Sequence, residues 1–393
     1  MLREQLEFVP DRDREVFAAV PSAAAVFALR GRDHDAEPYV SKTANLRRRL
    51  ERLLGSALEP GRRLNLRDRV GQIEYSPTGS EFESAFLLYR LLRATFPQTY
   101  GQRLRLRFAP LIKLHCDNQY PRVSGTTRLG RRTGRNLYYG PFPSRTAAER
   151  YANDSLDLFK MRRCIEDLRP DPQFPGCVYS EMKMCLAPCF QGCTDAEYQA
   201  EVERVEAYLE TGGESLVREI SGRREAASSH LEFERAAGFH AQIEKIKSVR
   251  SQRPEIVRRI DHMMGVVVQA SSDPEAVNLF RIEAGSIAHP LPFPIRAQEH
   301  SKSQSMEARL GGALAGIPPA GARSALETME HLALVKRWYY RSHRAGQVFF
   351  ADSRGALPLR RIVRGIASVY RGEKFEPGAA ETEGTPPLPE RTS

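Results

Sequence analysis

The N-terminal part of the chain alternates short apolar segments with amphipathic ones, and this alternation predicts a small α/β domain. An apolar run at 23–31 ends in glycine, as strands often do, and a second short strand follows at 38–41. Leucines then recur at helical spacing through 42–58, with arginines between them. A third strand and turn at 70–80 precede a helix at 80–97, which a serine caps and a proline ends. The predicted order is β-β-α-β-α.

The rest of the chain continues as a mixture of strands and helices, so we assign the α/β (α+β) fold class. The alternating segment 103–123 predicts further strands, 194–213 a capped helix, and 214–252 a helical hairpin. The predicted regions are a first domain at 15–102, a strand region with a cysteine loop at 103–195, a helical hairpin at 196–255, a C-terminal α/β region at 256–373 and a disordered tail at 374–393.

Charge favours a polyanionic partner. The 393 residues have a formal net charge of +10 and a pI of about 9.4, a balance typical of proteins that bind nucleic acid or an acidic membrane face. The charged start predicts no signal peptide, and the apolar run at 23–29 is far shorter than the roughly 20 residues that span a bilayer. We therefore expect a cytoplasmic protein without a membrane partner.

Four cysteines within 26 residues form the strongest candidate for a metal site. Their spacing is C-x12-C-x7-C-x3-C, and the ligands would be Cys164, Cys177, Cys185 and Cys189. Four thiolates suit either zinc or an iron–sulfur cluster, and four free thiols remain the alternative. Cys193 is a possible competing ligand, and Cys116 is expected to be a packed or free thiol.

Four segments in order resemble the UvrC family, the incision subunit of bacterial nucleotide excision repair. They are "VPSAAAVFAL", "PYVSKTANLRRRL", "IEYSPTGSEFESAFLL" and "YYGPFPS", and the cysteine loop and "LEFERAAGFHAQI" match as well. The resemblance covers about residues 20–249 and identifies the chain as a divergent, shortened member. It implies a GIY-YIG nuclease-like fold for the first domain.

The residues that this resemblance implies for catalysis match only in part. The family's second tyrosine, lysine and arginine correspond to Tyr39, Lys42 and Arg49, but Phe27 replaces the first tyrosine and Leu88 replaces the glutamate that holds the metal. Phosphodiester cleavage of this type needs an arginine to neutralise the phosphate and a divalent ion to polarise it. Leucine cannot bind a cation, so we expect the Mg²⁺ site to be lost.

Neighbouring carboxylates do not obviously replace the missing one. Glu81 and Glu83 lie about 10 Å and 7.5 Å from position 88 along a helix, whereas a Mg²⁺–oxygen bond is about 2.1 Å. A carboxylate from elsewhere, such as Glu37 or Glu74, stays open as a substitute.

Even without cleavage activity, the basic helix can still bind phosphate groups. Lys42, Arg47, Arg48 and Arg49 are the predicted DNA-binding residues, and a solvated helix face is the alternative.

The resemblance also implies a cofactor and a protein partner. It assigns a [4Fe–4S] cluster to the four cysteines, with zinc left open. It identifies "HLEFERAAGFHAQIEKIKSV" as a UVR motif that would bind UvrB, and the predicted partner-binding residues are Phe233, Ala236, Ala237 and Ile243. The alternative is a hairpin that packs only on its own chain.

The second nuclease of the family is not evident in the C-terminal region. The strand at 265–270 contains no acidic residue for a metal. Aromatic residues at 338–340 are flanked by cations, and these aromatic side chains either stack on bases or pack inward. We expect a DNA-repair protein that binds DNA without cutting it, with UvrB as a candidate partner. The alternatives are an active endonuclease that makes a single incision, and a metal-cluster regulatory protein.

Overall fold

Three antiparallel sheets follow one another along the chain, each with its own helices. The computed structural model describes residues 2–33, 35–56, 65–130, 134–296, 304–318 and 324–373. The predicted tail at 374–393 lies outside the described residues. The mixture of helices and sheets confirms the predicted fold class. Within the described ranges, no helix is both long and apolar enough to cross a bilayer.

The first sheet has the strand order β1-β4-β2-β3 and every pair is antiparallel. Its elements are β1 (Glu4–Glu7), α1 (Asp13–Ala19), β2 (Ala25–Gly31), β3 (Tyr39–Thr43), α2 (Leu46–Leu54), β4 (Val70–Pro77) and α3 (Glu81–Thr95). The three predicted strands and two predicted helices are confirmed. Strand β1 and helix α1 were missed, because β1 is a mostly exposed edge strand whose sequence EQLE has no apolar face.

The middle sheet has the order β6-β5-β7-β8, and its last strand comes from beyond the helical hairpin. Its strands are β5 (Leu111–Leu114), β6 (Val123–Thr126), β7 (Leu137–Gly140) and β8 (Arg258–Arg259), and its helices are α4 (Tyr100–Leu104) and α5 (Arg145–Leu156). The strand prediction across 103–123 was therefore wrong for its first part. Arg103 stacks 3.8 Å above the Phe96 ring and holds the short helix, which Arg105 ends in a left-handed conformation.

Helices dominate the region that follows the middle strands. They are α6 (Val178–Glu181), α7 (Asp195–Thr211), α8 (Glu214–Ser229) and α9 (Phe233–Ser251). The predicted capping box joins Thr194 and Glu197 at the start of α7, and Gly212 ends that helix at a φ of 61°. The predicted hairpin is the pair α8 and α9.

The C-terminal region is built on a five-stranded antiparallel sheet. Its elements are β9 (Met264–Ala270), β10 (Ala276–Glu283), β11 (Ser286–Ile287), β12 (Leu291–Pro294), α10 (Met306–Ala315), α11 (Ala325–Tyr339), β13 (Gln347–Phe350) and α12 (Leu359–Tyr370). One face of the sheet packs against α12, with Val266 and Leu279 fully buried beside Ile362 and Ile366.

Helix α3 joins the first sheet to the C-terminal region. The ring of Phe82 lies 5.0 Å from that of Phe280 in β10. Glu330 of α11 is buried and accepts hydrogen bonds from the hydroxyls of Tyr89, at 2.8 Å, and Tyr100, at 2.7 Å. A buried carboxylate needs such donors, so this contact fixes how the two regions pack.

The turn before α3 tests this packing. A Cβ at Gly79 would overlap the backbone of Ser271, which is the next residue after β9. We predict that Gly79→Ala lowers the free energy of unfolding by about 1–3 kcal/mol, because the backbone must shift to admit the methyl group. Urea denaturation measures the change.

Gly222→Ala is the matched control. Gly222 lies within α8, and a Cβ there would meet nothing within 4 Å. The control should be neutral or stabilise the chain by up to about 1 kcal/mol, since alanine favours a helix over glycine. Equal effects of the two substitutions would contradict the close approach at Gly79.

Candidate functional site

Helix α2 exposes Arg48 and Arg52 to solvent because its leucines face the core. Leu46, Leu50, Leu53 and Leu54 are buried, and the Asn45 side chain caps the helix by accepting a 3.0 Å hydrogen bond from the backbone N–H of Arg48. An open groove of about 710 Å³ runs along this helix. It is lined by Thr43, Ala44, Asn45, Arg48, Arg49, Arg52 and Leu53.

Two of the predicted catalytic candidates meet at this groove. Nη2 of Arg49 donates a 2.8 Å hydrogen bond to the Tyr39 hydroxyl. Phe27 lies beside Tyr39, with ring centroids 6.1 Å apart, but it is fully buried in the first sheet. The pairing of tyrosine and arginine is therefore present, and the first hydroxyl of the family pattern is not.

Lys42 lies on β3 and is engaged by an acidic neighbour. Its Nζ forms an ion pair with Glu81 at the start of α3, and Arg341 lies 3.4 Å from the same carboxylate. Both partners are partly exposed, so the pair contributes little to stability, but it offsets part of the charge that Lys42 would present to a phosphate.

Arg47 turns away from the side of α2 on which Arg48 and Arg52 are exposed, and its role in DNA binding stays a prediction. Its guanidinium turns toward α1 and donates to the carbonyl oxygens of Val20, at 2.9 and 3.0 Å, and Ala18, at 3.1 Å. These carbonyls end helix α1 and have no partner within it. Arg47 is thus a capping residue for α1.

Sequence reasoning missed Arg52, which lines the groove in place of Arg47. It is exposed and lies four residues after Arg48, so the two side chains project from the same face of α2. The helical spacing of the arginines was the signal that could have found it.

Three carboxylates near the expected metal position each form an ion pair with a basic side chain. Leu88 is half-buried on α3. Glu37 pairs with Arg103 at 2.8 Å and Glu74 with Arg30 at 2.5 Å, while Glu81 is bound to Lys42 as described.

Glu83 is withdrawn into the interior. It is 5% exposed and accepts a 2.8 Å hydrogen bond from the backbone N–H of Gly79, and burial raises the pKa of its carboxyl group. Over the described ranges, no three His, Cys, Asp or Glu side chains are arranged to hold a metal ion.

The four cysteines of the loop share one neighbourhood without meeting in that arrangement. Burial, with a smaller contribution from the charges of the other three thiols, raises the pKa of the Cys185 thiol to about 11. Nη1 of Arg162 lies 3.3 Å from Sγ of Cys164, and the backbone N–H of Ala187 donates to Sγ of Cys185 at 3.3 Å. The donor set is four mutually interacting thiols, which fits a sulfur-ligated metal or cluster.

The remaining cysteines lie against the main core. Cys116 and Cys193 are half-buried there, and burial raises the pKa of both thiols.

The hairpin separates the predicted partner-binding residues into two groups. Phe233 is 66% exposed at the start of α9, Ala237 is exposed and Ala236 is half-buried. Ile243 is only 3% exposed and packs in the core, because the helix buries its C-terminal half. Its role in partner binding stays a prediction, and the described fold exposes only the other three residues of the set to solvent.

The aromatic residues near the end of α11 pack inward. Trp338 is buried and donates a 2.8 Å hydrogen bond to the carbonyl of Ala345, and the Tyr340 hydroxyl donates to the carbonyl of Pro141 at 2.9 Å. Arg344 lies 4.5 Å above the Tyr339 ring. The aromatic residues at 338–340 thus pack against their own chain, which agrees with the second of the two interpretations given above for this stretch.

Comparison with known proteins gives a family match in the middle of the chain. Residues 109–208 match the family model for the middle domain of UvrC/Cho excinucleases. This segment runs from the strand region through the cysteine loop into α7. No solved structure matches the chain.

Relatives extend the match on both sides. The chain is similar to UvrABC system protein C of Methanothermobacter thermautotrophicus, with 31% identity over 70% of this chain and 46% of the relative. It is 26% identical to the protein of that name from Rhodospirillum rubrum over 82% of this chain and 50% of the relative. The corresponding protein of Stenotrophomonas maltophilia strain K279a is 27% identical over 89% of this chain and 58% of the relative.

The chain thus spans about half the length of the curated relatives that it matches. The expected resemblance is confirmed by the middle-domain match together with relatives that align across most of the chain: the chain belongs to the UvrC family.

Proposed function

We propose that this chain acts in nucleotide excision repair as a DNA-binding member of its family, and that its first domain holds DNA without cutting it. The observation that supports the proposal most directly is the basic groove along α2, where Arg49 is bound to Tyr39, combined with leucine at position 88. The groove retains the means to bind a phosphate backbone, and the metal carboxylate is missing.

The groove suits a phosphate backbone in charge and in shape. Arg48, Arg49 and Arg52 line it, and none of the described residues in its lining is acidic. Arginine pairs with phosphate through two parallel N–H donors, and such contacts bind DNA without regard to sequence. Each contact releases counterions and makes affinity depend on salt.

We propose that DNA cleavage is lost because the carboxylates near the expected metal position are paired with cations or buried. Mg²⁺ in phosphoryl-transfer sites is held by one or two carboxylates together with water. Glu37, Glu74 and Glu81 are each paired with a cation, and Glu83 is buried. Recruiting any of them would break an existing interaction.

The cysteine loop and the hairpin would serve assembly. Cys164, Cys177, Cys185 and Cys189 would hold a [4Fe–4S] cluster, with zinc as the alternative. Metal binding would order a loop that has little apolar burial of its own.

At the hairpin, Leu231 and Phe233 are 72% and 66% exposed and lie two residues apart in the sequence. Such exposed apolar side chains suit docking against an apolar surface of a partner such as UvrB.

A second candidate function is a single-incision endonuclease. The intact hydrogen bond between Tyr39 and Arg49 favours it, because these two side chains would contact the water and the phosphate during cleavage. The strand-cleavage experiment below separates the two.

Salt dependence tests the groove. We predict that Arg48→Ala and Arg52→Ala each reduce the slope of log K against log salt by about one unit on duplex DNA, since each removes about one phosphate contact. Fluorescence anisotropy at several salt concentrations measures the slope.

Arg47→Ala is the control with the same change of charge on the same helix. It should leave the slope unchanged and lower the free energy of unfolding, because it removes the hydrogen bonds to the end of α1. A slope that falls equally in all three variants would refute the proposed groove.

Strand cleavage tests the loss of chemistry. The wild-type chain with UvrA, UvrB, a lesion-bearing duplex and Mg²⁺ or Mn²⁺ should leave both strands whole, because leucine replaces the metal-binding glutamate at position 88. Denaturing gel electrophoresis detects any nick, and a full-length UvrC relative serves as the positive control. Nicking that Arg49→Ala abolishes would establish the endonuclease instead.

Anaerobic reconstitution with iron and sulfide tests the cysteine loop. The wild-type chain should gain broad visible absorption and a higher unfolding temperature, because a bound cluster stabilises the folded loop. Cys185→Ser should lose both, whereas Cys116→Ser should keep both, since Cys116 lies outside the loop. A chain that retains only zinc identifies the alternative metal, and binding of neither rules the site out.

A further inference from the structure

A second basic cavity lies where α7 and α9 end. It has a volume of about 500 Å³ and is open to solvent. Its lining comes from the last turns of the two helices and the segment that leads into β8. The lining residues are Glu210, Thr211, Gly212, Lys247, Arg250, Ser251, Arg253, Pro254, Glu255 and Arg258.

Positive charge exceeds negative charge in this lining, which contains four cations and two carboxylates. Two of the cations already have acidic partners, since Lys247 lies 2.9 Å from Glu244 and Arg250 lies 2.8 Å from Glu214. Of the two carboxylates, Glu210 is bound to His262 at 2.9 Å and Glu255 is exposed. The described lining residues by themselves therefore have an excess of positive charge.

Arg253 and Arg258 differ from the other cations because they are half-buried and lack an acidic partner. Neither guanidinium forms a hydrogen bond or an ion pair within the part of the chain that the structure describes. Nε of Arg258 is fully buried without a partner, and its guanidinium lies 4.6 Å above the ring of Phe350. Burial lowers the pKa of both side chains, and the charge of Arg253 lowers that of Arg258 further.

Neighbouring tyrosines do not supply the missing negative charge. The hydroxyls of Tyr151 and Tyr208 are buried without a hydrogen-bond partner, and both rings contribute to the electrostatic environment of Arg253. Burial raises the pKa of both phenols, so both are neutral at physiological pH. Against the effect of burial, Glu210 raises the pKa of Arg253 and Glu255 raises that of Arg258, but neither carboxylate lies within ion-pair distance of these arginines in the described part of the chain. The two half-buried guanidiniums therefore lack a direct anionic contact, which is unfavourable because each is partly removed from water and each repels the other.

The end of α7 brings one of these arginines close to the backbone. Gly212 and Gly213 both have positive φ, and a Cβ at Gly212 would overlap Nη1 of Arg253. The C-terminus of a helix has roughly half a negative charge, and the Gly212 carbonyl already accepts a 2.9 Å hydrogen bond from Nε of Arg250. This partial charge cannot balance two further guanidiniums.

We propose that this cavity is a binding site for a phosphate group, held between the guanidiniums of Arg253 and Arg258. A phosphate group has the charge and the several acceptor oxygens that two arginine side chains can bind together. The phosphate comes from a nucleic-acid backbone or from a small phosphorylated molecule. The site is separate from the α2 groove and does not depend on the function proposed for that groove.

Thermal unfolding with inorganic phosphate tests the site directly. At saturating phosphate, the wild-type chain should unfold about 2 °C or more higher than in chloride of equal ionic strength, because a ligand that binds only the folded state stabilises it. Equal unfolding temperatures in the two salts overturn the proposal, whatever the chain does with DNA.

Two variants locate the effect. Arg253→Met and Arg258→Met should each raise the dissociation constant for phosphate at least tenfold, since each removes a charged hydrogen-bond donor. Arg218→Met is the control, because Arg218 is exposed on α8 and makes the same change in net charge outside the cavity. If Arg218→Met weakens phosphate binding as much as Arg253→Met, the proposed site is wrong.

Anisotropy with a duplex oligonucleotide then identifies the source of the phosphate. Weaker duplex binding by Arg253→Met than by Arg218→Met assigns the cavity to the nucleic-acid backbone. Equal duplex binding, together with lost phosphate binding, assigns it to a small phosphorylated molecule. Arg253→Lys keeps the charge but loses the planar guanidinium, whose paired N–H donors match phosphate oxygens. This variant should remain folded and bind phosphate more weakly than wild type.

Discussion

The buried carboxylate of Glu330 is the interaction on which the arrangement of the domains depends. Its two oxygens accept hydrogen bonds from Tyr89 on α3 and Tyr100 on α4, so a residue of the C-terminal region fixes the end of the first domain. A buried acid without donors is strongly destabilising, which ties the three side chains together. Phe82 and Phe280 complete the contact with an apolar one. Helix α3 thereby becomes an element of the core between the two regions.

This use of α3 has a consequence for the groove on α2. The same helix would have to present the metal carboxylate, but it has Leu88 at that position and uses Glu81 to bind Lys42. The basic side of the groove is unaffected, because Arg48, Arg49 and Arg52 are held by the leucine-rich face of α2 and by the Asn45 cap. In the proposed function, DNA binding and cleavage would depend on different elements, so that binding could be kept while cleavage is lost.

The sequence predicted features that depend on local periodicity and missed those that depend on distant partners. Helix α2, its leucine face and the capped start of α3 were correct because spacing and caps are local properties. The hydrogen bonds from Arg47 to the end of α1 were missed because they are tertiary contacts that no spacing reveals. Strand β1 was missed because a mostly exposed edge strand needs no apolar alternation. The cavity at Arg253 joins segments that only the fold brings together.

We propose that the first domain does not hold a divalent ion beside Tyr39 and Arg49. A fluorotyrosine placed at position 39 tests this directly, because a bound paramagnetic ion broadens the fluorine resonance of a nearby nucleus. The linewidth at position 39 should stay unchanged when Mn²⁺ is added to the full chain. Broadening that Mg²⁺ reverses by competition would reveal a metal at the groove and refute the proposal.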